Sequence, residues 1–205
     1  MSENIGFGFD ENTKEGSTSK FIQISPETAI STGRFIKELK FEENNGNPYM
    51  EIIVTNIQDQ IAGRRYYEPK IDGSIIKNET DLKKAVTKFN GIAANLARRF
   101  LGETYKPAGI KDFSSLCKTI IKDIGNKYVS KELRIKLVLN SKSFPTLPAY
   151  APIFEGIDVN PSKLTISPAF DNVTSTYKSN TGSDNTELTP DTDPLHKSDT
   201  KEADF

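Results

Sequence analysis

Residues 78–102, NETDLKKAVTKFNGIAANLARRFLG, interrupt a chain that otherwise reads as β-strands, and this interruption decides the fold. Leu82, Ala85, Val86, Phe89, Ile92, Ala93, Leu96 and Phe100 recur at intervals of three and four, the spacing of one helix face. Asn78 or Thr80 supplies an N-cap and Gly102 a stop. Gly91, inside the pattern, weakens a helix by about 1 kcal/mol relative to Ala. A second helical pattern follows in DFSSLCKTIIKDIG, 112–125. Asp112 is its N-cap, Phe113, Leu116, Cys117, Ile120, Ile121 and Ile124 are its stripe, and Gly125 ends it.

On both sides the period drops to two. GRFIKELKFEE, 33–43, sets Phe35, Lys37, Leu39 and Phe41 on one face, with Ile36, Glu38 and Lys40 opposite. After the turn residues NNGNP comes YMEIIVTNI, 49–57, where Met50, Ile52 and Val54 alternate with Glu51, Ile53 and Thr55. IAGRRYYEPK, 61–70, is a third strand, broken by Pro69. Beyond the helices, KELRIKLVLN, 131–140, faces Leu133, Ile135, Leu137 and Leu139 one way and Arg134, Lys136 and Val138 the other. IFEGI, 153–157, is a short fifth strand. The order β-β-β-α-α-β-β predicts a mainly β domain over 20–170. It is the plan of the OB-fold, a five-stranded Greek-key barrel, here with a helical insert over about 78–125. A small α+β sandwich is the plainer alternative.

The ends differ from this body. Residues 1–19 are rich in Gly, Ser, Asn and Glu, and 171–205 hold few apolar residues. Both are expected to be disordered, because burial there cannot offset an ordering entropy of roughly 1–2 kcal/mol per residue. The segment from Asp171 onward carries eight acidic residues against three lysines, −5, whereas the first 170 residues carry 24 basic and 20 acidic side chains, +4. A mildly basic body attracts phosphate, and an acidic tail competes for the same surface or recruits a protein. No apolar run approaches the roughly 20 residues of a membrane span. The first residues lack a secretory pattern, and a single cysteine suits a reducing compartment, so a cytoplasmic location is expected.

Catalytic and metal-binding constellations are not evident. His196 lies in the acidic tail without an orienting group, and Cys117 sits on an apolar helical stripe with no histidine in the body to activate it. GFGFDENTKEGSTSK, 6–20, lacks both the spacing and the preceding strand of a phosphate-binding loop. No cofactor, metal site or enzymatic activity is expected.

Binding is the expectation instead. In GRRYYEP, Arg64 and Tyr66 share one strand face and Arg65 and Tyr67 the other, so each face pairs a guanidinium with a ring. Unpaired nucleic acid asks for that combination: rings stack on bases and cations meet phosphates. Arg134 and Lys136 on the fourth strand, Lys142, Phe144 and Tyr150 in the loop after it, and Lys37 on the first strand extend the candidate surface. Core packing of one Tyr, and packing of Phe144 and Tyr150 around Pro145, Pro148 and Pro152, are the structural alternatives.

The strand order, the passage ELRIKLVLNSKSFPTLPAYAPIFEGID at 132–158 and the ending DTKEADF together resemble bacteriophage single-stranded DNA-binding proteins. The resemblance implies sequence-tolerant binding of single-stranded DNA during phage replication or recombination, in the host cytoplasm. It also implies that Glu202, Asp204 and Phe205 form a tip gripped by replication or recombination proteins. No tryptophan is present, so stacking would fall to Tyr and Phe. Homo-oligomerisation stays open, and a structural or auxiliary virion protein is the rival function.

Overall fold

The structure, a computed structural model, describes residues 19–174. The expected loose N-terminus up to residue 18, most of the acidic tail, and the tip residues Glu202, Asp204 and Phe205 lie outside the described residues.

Three long strands begin the domain: β1 (Ile30–Asn44), β2 (Asn47–Asn56) and β3 (Ile61–Tyr67). The β1–β2 turn is tight, with Asn45 and Gly46 both at positive φ. Met50, Ile52 and Val54 of β2 point into the core as their alternation predicts. In β1 the alternation breaks. The register against β2 shifts between Ile36 and Glu38, so Lys37 is the extra residue of a β-bulge. Ile36 and Leu39 therefore both enter the core, although strict alternation sets them on opposite faces.

Both helices form where their caps predict. In α1 (Glu79–Leu101) the Asn78 side chain accepts from the Asp81 N–H, and the Gly102 N–H donates to the Arg98 carbonyl. In α2 (Phe113–Ile124) Asp112 and Ser115 form a capping box. Phe89, Ile92, Ala93, Leu96 and Ala97 of α1, with Cys117, Ile120 and Ile124 of α2, pack on the sheet's inner face. α2 lies against β1 and β2, and α1 against the last strand.

The chain then returns through β4 (Glu132–Lys136), the two-residue strands β5 (Val138–Leu139) and β6 (Pro145–Thr146), and β7 (Phe154–Gly156). The main sheet is antiparallel throughout, in the order β3-β2-β1-β4-β7, and β5–β6 forms a separate two-stranded ribbon.

The expected closed barrel is corrected here: β3 and β7 are the two ends of an open sheet. Residues 138–153 occupy the space between them. This segment contains Pro145, Pro148 and Pro152, which have no N–H to give to a ladder. It is fastened to β3 by side chains instead. Thr146 Oγ1 donates to the Gly63 carbonyl at 2.8 Å, Arg64 Nη1 to the Leu147 carbonyl at 3.1 Å, and the Tyr66 hydroxyl to the Pro148 carbonyl at 2.8 Å. The outer edge of β3 meets the N-terminal segment through Ile22 N–H to Ile61 O and Ile61 N–H to Lys20 O.

Candidate nucleic-acid interface

The double Arg-Tyr cluster of β3 divides as its alternation requires, but its two faces meet different surroundings. Tyr66 is 6 % exposed and belongs to the core, its ring 6.5 Å from that of Phe89. Arg64, on the same face, bonds the Leu147 carbonyl. Arg65 and Tyr67 point away from the helices.

On that outer face the strand register builds two cross-strand rows. Lys40, Glu51 and Arg65 are direct neighbours on β1, β2 and β3. Glu51, 5 % exposed, takes Lys40 Nζ at 3.0 Å and Arg65 Nε at 2.7 Å. Lys40 also meets Glu38 at 3.3 Å and Glu42 at 3.2 Å, and bonding to Glu51 holds its ammonium well above the usual lysine range. In the next row Glu42 accepts from the Tyr49 hydroxyl at 2.6 Å, and the rings of Tyr49 and Tyr67 lie 5.2 Å apart. Burial, with Glu42 beside it, pushes the Tyr49 phenol up to about 12. Two cations against three carboxylates leave this face without positive charge.

Arg134 and Lys136 point outward from β4 as expected, yet residues 157–172 cross over them, sealing Lys136 and leaving the Arg134 side chain only 19 % exposed. Arg134 Nη1 donates to Glu155 Oε2 and to the Val159 carbonyl, both at 2.7 Å. Lys136 is 2 % exposed; its ammonium lies 3.2 Å from buried Asp171 and 4.3 Å from the Tyr150 ring centroid. Burial, with Asp171 adjacent, raises the Tyr150 phenol far above the tyrosine range. Asp171, read from sequence as the first residue of a disordered tail, is thus buried in the body. Arg134, through Glu155 and the Val159 carbonyl, and Lys136, with Asp171 and Tyr150, together fasten the last described segment.

Phe144, Lys142 and Lys37 remain at the surface. Asn140 shapes the Phe144 turn: its Oδ1 accepts from the N–H groups of Lys142 and Phe144, each at 2.9 Å. Phe144 is thereby held 46 % exposed, with its ring 5.2 Å from that of Phe21. Lys20 and Lys142 are exposed in the same two segments. Sequence reading missed Phe21 and Lys20, which no periodicity marks; the signal is the Phe21–Ile61 bridge, a long-range contact. Lys37 is exposed at the β1 bulge.

Cys117 is fully buried, and burial pushes its thiol up to about 12, so it is an inert core residue. Among the described residues no group of three or more His, Cys, Asp or Glu is placed to hold a metal, and no helix is long and apolar enough to cross a membrane. In comparison with known proteins, no family model, no curated protein and no solved structure matches the chain.

Proposed function

We propose that the protein binds single-stranded DNA without catalysis and with little sequence preference. Its role is in phage replication or recombination in the host cytoplasm, with Glu202, Asp204 and Phe205 recruiting partner proteins. The observation that carries this reading is the half-exposed Phe144 ring, backed by Phe21 and accompanied by Lys142 and Lys20, on the segment that fills the open end of the sheet beside β3. A rigid exposed ring beside cations suits base stacking and phosphate contact. The neighbour order β3-β2-β1-β4-β7 supports reading the sheet as an OB-type barrel slit between its third and last strands, with 138–153 in the slit. The stacking surface is then the 140–144 turn and the N-terminal segment, rather than Tyr66.

Fluorescence polarisation with labelled oligo-dT tests this. Phe144→Ala is expected to weaken binding by about 1–3 kcal/mol, the value of one lost base stack. Unchanged affinity in this variant and in Phe144→Ala combined with Phe21→Ala overturns the stacking surface.

The outer face of β1, β2 and β3, where three carboxylates outnumber two cations, favours a second reading, a structural or auxiliary virion protein. It requires co-purification with particles and no salt-dependent binding of oligo-dT.

A further inference from the structure

Charge is divided unevenly between sheet and helices. Residues 77–131 carry twelve Lys and Arg against five Asp and Glu, +7, and the other described residues carry eleven against twelve, −1. Neutralisation is uneven too. Outside 77–131, Lys40, Arg65, Lys70, Arg134 and Lys136 all sit in ion pairs. Within 77–131, among the described residues, only Arg99 does, with Glu103.

Part of this excess surrounds a groove of about 340 Å³ between α1 and α2. Ala97 and Ile120 lie in its floor, Tyr105 lines it, and Arg98 and Lys106 stand along it. A neighbouring hollow of about 320 Å³ shares Asn90, Ile110 and Leu116 with it and adds Lys111 together with the carboxylates of Glu68 and Asp112, so the cationic excess is greatest at the Arg98–Lys106 end. Arg98 lies in the last turn of α1, where the helix dipole favours a cation. That accounts for a positive charge at this position but not for leaving it exposed beside an apolar hollow.

Apolar surface bordered by cations matches a nucleotide, whose base offers an apolar face and whose phosphate needs a positive partner. We infer that this groove is a second contact surface for single-stranded nucleic acid: phosphates meet Arg98, Lys106 and Lys111, and a base lies against Tyr105 and the floor. The inference rests on the single-strand-binding reading above and moves most of the phosphate contact from the sheet to the helices. Exposed Lys84 and Lys88 continue the charge along α1, Lys84 being about 21 Å from Arg98 at a 1.5 Å rise per residue. Cations over that length suit a repeating polyanion better than the short anchor of an acidic peptide.

The chain has no tryptophan, so Ala94→Trp, at the groove lining, places a single reporter there in the full chain. Its fluorescence is expected to be quenched as oligo-dT is titrated. The variant Arg98→Ala/Lys106→Ala/Lys111→Ala is expected to make the slope of log affinity against log salt shallower by about 2, at about 0.7 per lost phosphate contact. Lys163→Ala, away from the helices, leaves the slope unchanged. An unquenched reporter with an unaltered slope in the triple variant, while Phe144→Ala still weakens binding, overturns this inference and leaves the Phe144 surface standing. Quenching by a peptide of residues 191–205 but not by oligo-dT also overturns it, assigning the groove to an acidic peptide. Absence of oligo-dT binding by the parent chain at low salt removes both readings.

Discussion

Lys136 shows how far a residue's environment can depart from its place in a pattern. It lies on the polar side of an alternating strand, yet it is sealed beneath residues that follow β7, with Asp171 and Tyr150 as its partners. A buried ammonium is tolerated only with a partner, and removing one member of such a pair leaves an uncompensated charge. Asp171→Ala is therefore expected to destabilise the protein by about 3–5 kcal/mol in urea unfolding. Lys136→Met combined with Asp171→Leu should recover most of that loss, because the apolar pair leaves no buried charge. If the single substitution leaves the unfolding midpoint unchanged, the 157–172 segment is not fastened by this pair. Arg34 is a related case: it is 3 % exposed and bonded to the carbonyls of Thr28, Ala29 and Ile135, and burial lowers its guanidinium to about 10.

At the scale of elements, local chemistry and long-range pairing contribute differently. Both helices begin and end at the residues whose side chains and backbone freedom dictate it: Asn78 and Asp112 at the starts, Gly102 and Gly125 at the ends. Gly91 is the exception inside α1. A Cβ there would meet only Ala151 Cβ, at 3.7 Å, an ordinary contact. Gly91→Ala is thus expected to stabilise the protein by about 0.5–1 kcal/mol, seen as a raised Tm, through the helix preference for Ala. A lowered Tm means that the α1–Ala151 approach is tighter than the distance indicates. The strands were legible as strands from their alternation, but the β1 bulge at Lys37 was not. An extra residue shows itself only once a partner strand sets the register.

For the whole molecule, fastening by carboxylates has a consequence for pH. Burial alone would raise Glu155, but bonds from the Ser162 hydroxyl, the Lys163 N–H and Arg134 outweigh it and hold the carboxyl below the usual glutamate range. The bond from Tyr49 and then that from Lys40 likewise lower Glu42. A depressed carboxyl means that the unfolded chain takes up protons first as the pH falls. Stability from these groups is full above the ordinary glutamate value, near 4.5, and is lost as the pH drops through their folded values. Glu155→Gln should flatten the acid limb of stability against pH, measured by urea midpoints between pH 6 and 3. An acid limb of unchanged steepness would remove Glu155 from this role.

Sequence alone determined what depends on near neighbours along the chain: the helices and their caps, four of the five expected strands, and the inward faces of β2 and β4; the strand expected over 131–140 is instead split after Lys136, its end leaving the main sheet as β5. Turn chemistry, capping and periodicity act over a few residues, so they are written where they act. The open sheet, the burial of Tyr66 and Lys136, the packing of Tyr150 on Lys136, the Lys40–Glu51–Arg65 row and the Phe21–Phe144 pair were decided only by tertiary structure. Each joins residues distant in sequence, and whether a cation meets solvent or a carboxylate depends on which segment crosses over it. The candidate surface accordingly kept Phe144 and Lys142, lost Tyr66 and Lys136 to the interior, and gained Phe21 and Lys20 from a segment that carries no pattern of its own.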